Sequence, residues 1–182
     1  MKRQYNEEIN IPEKVSCEFD SSTNILKCRG KDIELSRIVS LPKTTIKIES
    51  NLIKFFCEKG DRKIISAIKS NIAHIKNMFK GFGKKFAYKL EICHVHFPMS
   101  VKVDGDKLLI SNFLGEKKPR MAKILPGTEI EVKGNEITVS SYDIEKAGQT
   151  AANIEKTVKV PKKDRRVFQD GIFIKDRPKR II

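Results

Sequence analysis

The strongest constraint on the fold is an order of elements that occurs twice along the chain. In the first half, Gly30 is followed by Pro42, then Ile46-x-Ile48, then Ile53-x-Phe55, then a helix capped by Asp61. In the second half, Gly115 is followed by Pro126, then Ile130-x-Val132, then Ile137-x-Val139, then a helix capped by Asp143. The helices align weakly as well, Ser70-Asn71-Ile72-Ala73-His74-Ile75 facing Gln149-Thr150-Ala151-Ala152-Asn153-Ile154. An order shared at this many points is best explained by duplication. Strands followed by one helix, twice over, predict an α+β chain. Each copy is a small domain whose antiparallel sheet packs one face on its helix. The boundaries expected are a first repeat over 1–82, a second over 83–160, and a basic C-terminal extension over 161–182.

The two helices are read from apolar spacing. Over Arg62 to Phe79, Ile64, Ile68, Ile72, Ile75 and Phe79 step by three and four residues and lay one stripe on one face. Asp61 is the expected N-cap, and Gly81 lies just past the expected end. Over Asp143 to about Lys159, Ile144, Ala147, Ala151, Ile154 and Val158 make the same stripe. Much of the rest alternates as short strands: Val15 to Phe19, Thr45 to Ile48, Leu52 to Phe56, Phe86 to Val95, Ser100 to Val103, Lys107 to Ser111, Thr128 to Val132 and Glu136 to Ser140. Turn signals such as Asp104-Gly105-Asp106 and Lys133-Gly134-Asn135 separate them. In 182 residues, two such halves make two small domains with thin cores.

Charge narrows the function. The chain has 37 Lys and Arg against 23 Asp and Glu, a net charge of +14. The excess is clustered. Residues 76–90 hold five lysines and no acid, and residues 156–182 hold ten basic residues against three acidic ones. Clustered cations of this kind form a footprint for phosphates. A smaller cluster is Glu116-Lys117-Lys118-Pro119-Arg120, a basic loop with Gly and Pro nearby. Phe82, Phe86 and Tyr88 lie within the first large cluster and Phe168 and Phe173 within the second. Base stacking is one use for them. Anchoring each basic segment to its own domain is the preferred one, because they sit among apolar residues at strand-like spacing.

Other classes have little support. The histidines His74, His94 and His96 pair with no Ser or Cys nucleophile and orienting acid, and no two carboxylates have acid–base spacing. No enzyme is expected. Gly81-Phe82-Gly83-Lys84-Lys85 follows a helix rather than opening one and lacks phosphate-loop spacing. The cysteines, Cys17, Cys28, Cys57 and Cys93, form no C-x-x-C pair and read as reduced thiols. Zinc through Cys93, His94 and His96 is disfavoured, since alternation along one strand sends His94 to the opposite face. No metal, cofactor or small-molecule substrate is expected. No apolar run approaches the roughly 20 residues of a membrane span, and the first residues have no signal-peptide character. The expected location is cytosolic or nuclear.

Four stretches carry a family resemblance: Cys93-His94-Val95-His96-Phe97-Pro98, Asn112-Phe113-Leu114-Gly115-Glu116-Lys117, Thr150-Ala151-Ala152-Asn153-Ile154, and Arg166-Val167-Phe168-Gln169-Asp170-Gly171-Ile172-Phe173-Ile174. Together and in this order they resemble the ribosomal protein family called L six in bacteria and archaea and L nine in eukaryotes, with the archaeal and eukaryotic branch closer. The match is loosest over Met1 to Lys80. The resemblance implies a tandem α+β fold and a structural role in the large ribosomal subunit. It implies binding to large-subunit ribosomal RNA near the sarcin–ricin loop and the factor-binding region, beside neighbouring ribosomal proteins. The second domain would make most of the RNA contacts. By position, the contacts fall on Lys117, Lys118 and Arg120; on Lys162, Lys163, Arg165 and Arg166 before Phe168; and on Lys175, Arg177, Lys179 and Arg180 beyond it. Lys84, Lys85 and Gln149 are weaker candidates. The implied location is the cytoplasmic ribosome, with nucleolar assembly if the source is eukaryotic. The tail from Pro161 is expected to order only on RNA. The alternative is a non-ribosomal RNA- or DNA-binding module, which shares the charge argument but would need a motif of its own.

Overall fold

The computed structural model describes residues 3–30, 33–49, 51–161, 163–164 and 166–178. The fold is α+β, with antiparallel sheets and, among the described residues, two α-helices. The chain divides into two compact units between Gly83 and Lys84.

The first unit runs β1 (Arg3–Asn10), β2 (Ser16–Asp20), β3 (Ile25–Arg29), β4 (Glu34–Ile38), β5 (Thr45–Glu49), β6 (Leu52–Gly60) and α1 (Arg62–Gly83). Its strands form two three-stranded antiparallel sheets, ordered β1-β6-β5 and β2-β3-β4. Period-two patterning decides which side chains turn inward: Leu26 and Cys28 of β3 and Ile53, Phe55 and Cys57 of β6 are buried, while their neighbours along the strand are more exposed. From α1, Ile68, Ile72 and Ile75 of the expected stripe are buried, joined by Met78. Asp61 caps the helix by accepting from the Ile64 N–H at 2.8 Å. Gly81, expected just past the helix, lies inside it, because the last turn is held by Phe82, whose ring covers Gly30. A Cβ built on Gly30 would sit 2.7 Å from that ring.

The second unit runs β7 (Phe86–Cys93), β8 (Ser100–Asp104), β9 (Lys107–Ser111), a 3-10 turn (Phe113–Gly115), β10 (Arg120–Lys123), β11 (Thr128–Lys133), β12 (Glu136–Ser141), α2 (Ile144–Thr157) and β13 (Gly171–Asp176). One antiparallel sheet is ordered β10-β9-β8, the other β11-β12-β7-β13. Directly opposed buried pairs, Tyr88 with Val139 and Leu90 with Ile137, join β7 to β12. α2 starts at the expected cap, Asp143 accepting from the Glu145 N–H at 2.9 Å. Its buried face is Ile144, Ala147, Thr150, Ala151 and Ile154. The helix can lie close to the sheet because Gly148 has no side chain; a Cβ there would stand 2.8 Å from the Tyr88 Oη.

Two expectations change here. The tail was expected to order only on RNA, but β13 is an edge strand of the larger sheet, with Ile172 opposite Ile92 and 1% exposed. Backbone pairing to β7 and burial of Ile172 hold this segment without a partner molecule. The strand expected over Phe86 to Val95 ends at Cys93 instead, with His94 and His96 in the following loop. The alternation used to separate Cys93 from His94 therefore does not apply to them.

Candidate nucleic-acid interface

The basic loop between β9 and β10 is anchored from both ends. Asn112, Leu114 and Gly115 adopt left-handed backbone, with φ of 60°, 49° and 77°, which folds the chain tightly around Phe113. Phe113 is buried in the core of the second unit. The Asn112 side chain donates to the Pro98 carbonyl at 3.1 Å. A Cβ on Gly115 would already touch the Phe97 ring at 3.4 Å. The His-Phe-Pro and Asn-Phe-Leu-Gly stretches are thus two sides of one contact.

Arg120 closes the loop. Its Nε and Nη2 donate to the two carboxylate oxygens of Glu116 at 2.8 and 2.6 Å. Its Nη1 donates to the Thr157 carbonyl at 2.8 Å and the Lys159 carbonyl at 3.3 Å. The guanidinium also lies 4.3 Å over the Phe113 ring. The Arg120 donors hold the Glu116 carboxyl below the usual carboxylate range. A bidentate pair and two carbonyls at the end of a helix suit an arginine fork well. Arg120 therefore faces inward and ties the loop to the C-terminal end of α2. Lys117 and Lys118, between the anchors, are exposed.

The tail reaches the same helix end. Glu155, Lys156, Val158 and Lys159 at the end of α2 line one side of a cavity of about 270 Å³, with Phe168, Asp170 and Phe173 among the residues on the other. Asp164 accepts from the Arg166 N–H at 2.9 Å, and its carbonyl from the Phe168 N–H at 2.9 Å, forming a local turn. Asp170 accepts from the Val95 N–H at 2.7 Å, fixing the start of β13 to the loop after β7. Lys163 lies 4.3 Å over the Phe168 ring. The preferred anchoring use of the aromatics holds for Phe86 and Tyr88, which are buried. It holds only partly for Phe168 and Phe173, which are 36% and 37% exposed. Ile172 is the residue that anchors the tail.

Of the expected contact residues, Lys117, Lys118, Lys163 and Arg166 are exposed around the end of α2 or on the tail beside it. Lys84, Gln149 and Arg177 are exposed too, and Gln149 donates to Asn153 at 2.8 Å. Lys85 is ion-paired with Glu129 at 2.7 Å, which raises its ammonium above the usual lysine range, and lies 5.0 Å over Tyr142. Lys175 pairs with Glu91 at 3.1 Å. Lys162, Arg165, Lys179 and Arg180 lie outside the described residues. Lys156 and Lys159 were not singled out, yet both are exposed at the helix end where loop and tail meet. Their signal was present as two cations in the last turn and just beyond it. Among the described residues, no three His, Cys, Asp or Glu side chains are grouped to hold a metal, and no helix is long and apolar enough to cross a membrane.

Fold and site define an α+β protein in which a basic loop and the C-terminal tail both meet the end of one helix. The family model described as Ribosomal protein L6 matches residues 97–171. The Large ribosomal subunit protein uL6 of Aeropyrum pernix is 44% identical over 175 residues, 94% of this chain and 93% of the relative. Those of Haloarcula marismortui and Methanococcus vannielii are 39% and 41% identical, covering 95% and 97% of this chain and 96% of each relative. The chain belongs to the ribosomal protein L6 family, a family of structural ribosomal proteins and not of enzymes.

Proposed function

We propose that this chain is a structural constituent of the large ribosomal subunit, acting in translation in the cytoplasm. It binds large-subunit ribosomal RNA through its second unit, near the sarcin–ricin loop and the factor-binding region. Family membership supports the ribosomal role. The observation that supports the RNA face is the Arg120 clamp, which ties the loop carrying the exposed Lys117-Lys118 pair to the end of α2, where Lys156 and Lys159 are exposed as well. Lysines held on a rigid frame neutralise phosphates and release counterions without first losing freedom. Recognition then rests on RNA shape and 2′-hydroxyls. Lys163 and Arg166 extend the face along the tail. On sequence grounds alone, Lys162, Arg165, Lys179 and Arg180 are further candidate contacts. Lys84, Gln149 and Arg177 are outer contacts. Lys85 and Lys175 must exchange Glu129 and Glu91 for a phosphate to take part. Arg120 acts by positioning.

We also read the two halves as copies of one ancestral domain. The matching strand orders support this: β1-β6-β5 beside a β2-β3-β4 sheet, and β7-β12-β11 beside a β8-β9-β10 sheet, each closed by a helix. The repeats are placed at 1–82 and 83–160. Within the extension assigned to 161–182, β13 (Gly171–Asp176) adds a strand to the second sheet.

The test is incorporation. Lys117→Glu with Lys118→Glu leaves Arg120 and the clamp intact. The double variant is expected to keep its circular dichroism spectrum and to be missing from large subunits in sucrose-gradient fractions. Incorporation at the wild-type level would refute the assignment of the loop.

A further inference from the structure

The first unit holds a chemical feature that RNA binding does not use. Cys17 on β2 and Cys28 on β3 are directly opposite in the antiparallel register. Directly opposed residues of such a pair have Cα atoms about 4.5–5.5 Å apart, inside the range of about 4.4–6.8 Å that a disulfide spans. The two sulfurs are 2.8 Å apart, within about 1 Å of the bonded separation of about 2.04 Å. Oxidation requires the sulfurs to close by about 1 Å. Cys57 and Cys93 have no sulfur so placed.

The two thiols are unequal. Cys17 is half-buried and reachable from solvent, whereas Cys28 is fully buried among Leu26 and its cross-strand neighbour Leu35. The two sulfurs share a hydrogen bond in which either can be the donor, and the contact with Cys28 favours the thiolate of Cys17 and lowers its pKa. The same hydrogen bond, with burial, holds the proton on Cys28. A nucleophile needs thiolate character and access, and Cys17 has both.

We propose that Cys17 and Cys28 are a thiol–disulfide redox pair, with Cys17 attacking a low-molecular-weight disulfide and Cys28 resolving the product. The Cys17 thiolate attacks one sulfur of the small disulfide. That S–S bond breaks, and the first small thiolate leaves and takes up a proton. Cys28 then gives its proton to the medium and attacks the Cys17 sulfur, displacing the second small thiolate, which is protonated in turn. Two protein thiols are oxidised to one disulfide, and one small disulfide is reduced to two thiols. The product staples β2 to β3 across the turn at 21–24 and fixes their register. This activity is independent of the ribosomal reading.

The experiment uses the reduced full chain, glutathione disulfide as oxidant, alkylation of the remaining thiols, and intact-mass and peptide mapping. The wild type is expected to lose two hydrogens, with the Cys17 and Cys28 peptides joined, Cys57 and Cys93 alkylated, and the loss reversed by dithiothreitol. Cys28→Ser is expected to stop at the first step, with a glutathione adduct on Cys17. Cys17→Ser is expected to leave Cys28 unmodified. Should Cys28→Ser fail to fold by circular dichroism, the wild-type map alone decides. Four alkylated cysteines after oxidation, a lasting adduct on Cys17 in the wild type, or a bridge between any other pair would overturn the proposal.

Discussion

Arg120 shows what a single position can hide. Its sequence context, a basic loop with Lys117 and Lys118, makes it look like a third phosphate contact. In the fold its donors are taken by Glu116 and by two carbonyls at the end of α2. That role was not legible because Thr157 and Lys159 lie far along the chain and meet Arg120 only through tertiary packing. Lys cannot reproduce the fork. Arg120→Lys is expected to cost about 1–2 kcal/mol of unfolding free energy in urea titration, since hydrogen bonds to charged groups are worth about 1.5–3 kcal/mol and the pair is partly screened by solvent. The cost should depend on pH. The Glu116 carboxyl is held low by Arg120, so its contribution is present above the ordinary glutamate pKa of about 4.3 and is lost as pH falls through its depressed value. The gap between wild type and Arg120→Ala should therefore narrow on acidification below that range. A gap of constant size down to strongly acidic pH would mean that packing on Phe113, and not the ion pair, is what Arg120 supplies.

At the scale of elements, local signals are legible in the sequence and non-local ones are not. Both helices followed from their apolar period and from Asp61 and Asp143, because caps and stripes are written within a few residues of one another. The strand β13 was not foreseen, because Ile172 and Ile174 have a strand's alternation but their partner, the free edge of β7, lies some eighty residues earlier. The exposed Phe168 and Phe173 drew attention from the residue that does the anchoring. Ile172→Ala is expected to destabilise the second unit by about 2–4 kcal/mol, measured by denaturant unfolding, as a fully buried isoleucine cut back to its Cβ leaves a cavity. Gly148→Ala tests the same face of that sheet, where Tyr88 lies on the side of β7 that carries Ile92, the partner of Ile172. A methyl placed 2.8 Å from the Tyr88 Oη must push helix and sheet apart, at a cost of about 1–3 kcal/mol, although alanine is the better helix former. A stabilised Gly148→Ala variant would show that α2 can lift from Tyr88 without loss.

At the scale of the whole molecule, net charge favours an anionic partner, but does not say which cations would meet it. The count of +14 treats Lys85, Lys117 and Lys175 alike, whereas the fold separates them. Lys85 and Lys175 already face Glu129 and Glu91, and Lys117 and Lys118 have exposed side chains on a braced loop. Salt dependence can read this difference, because the slope of log affinity against log salt counts the phosphates neutralised, at about 0.7–0.9 per contact. For binding to a large-subunit RNA fragment that includes the sarcin–ricin loop, Lys117→Ala with Lys118→Ala should lower the magnitude of the slope by about 1.4–1.8. Lys85→Ala should leave it nearly unchanged, since removing a neutralised lysine frees Glu129 rather than deleting a contact. Equal slopes for all three proteins would place the RNA face elsewhere on the chain, and a loss with Lys85→Ala as large as with the double variant would mean that the Lys85–Glu129 pair opens on RNA.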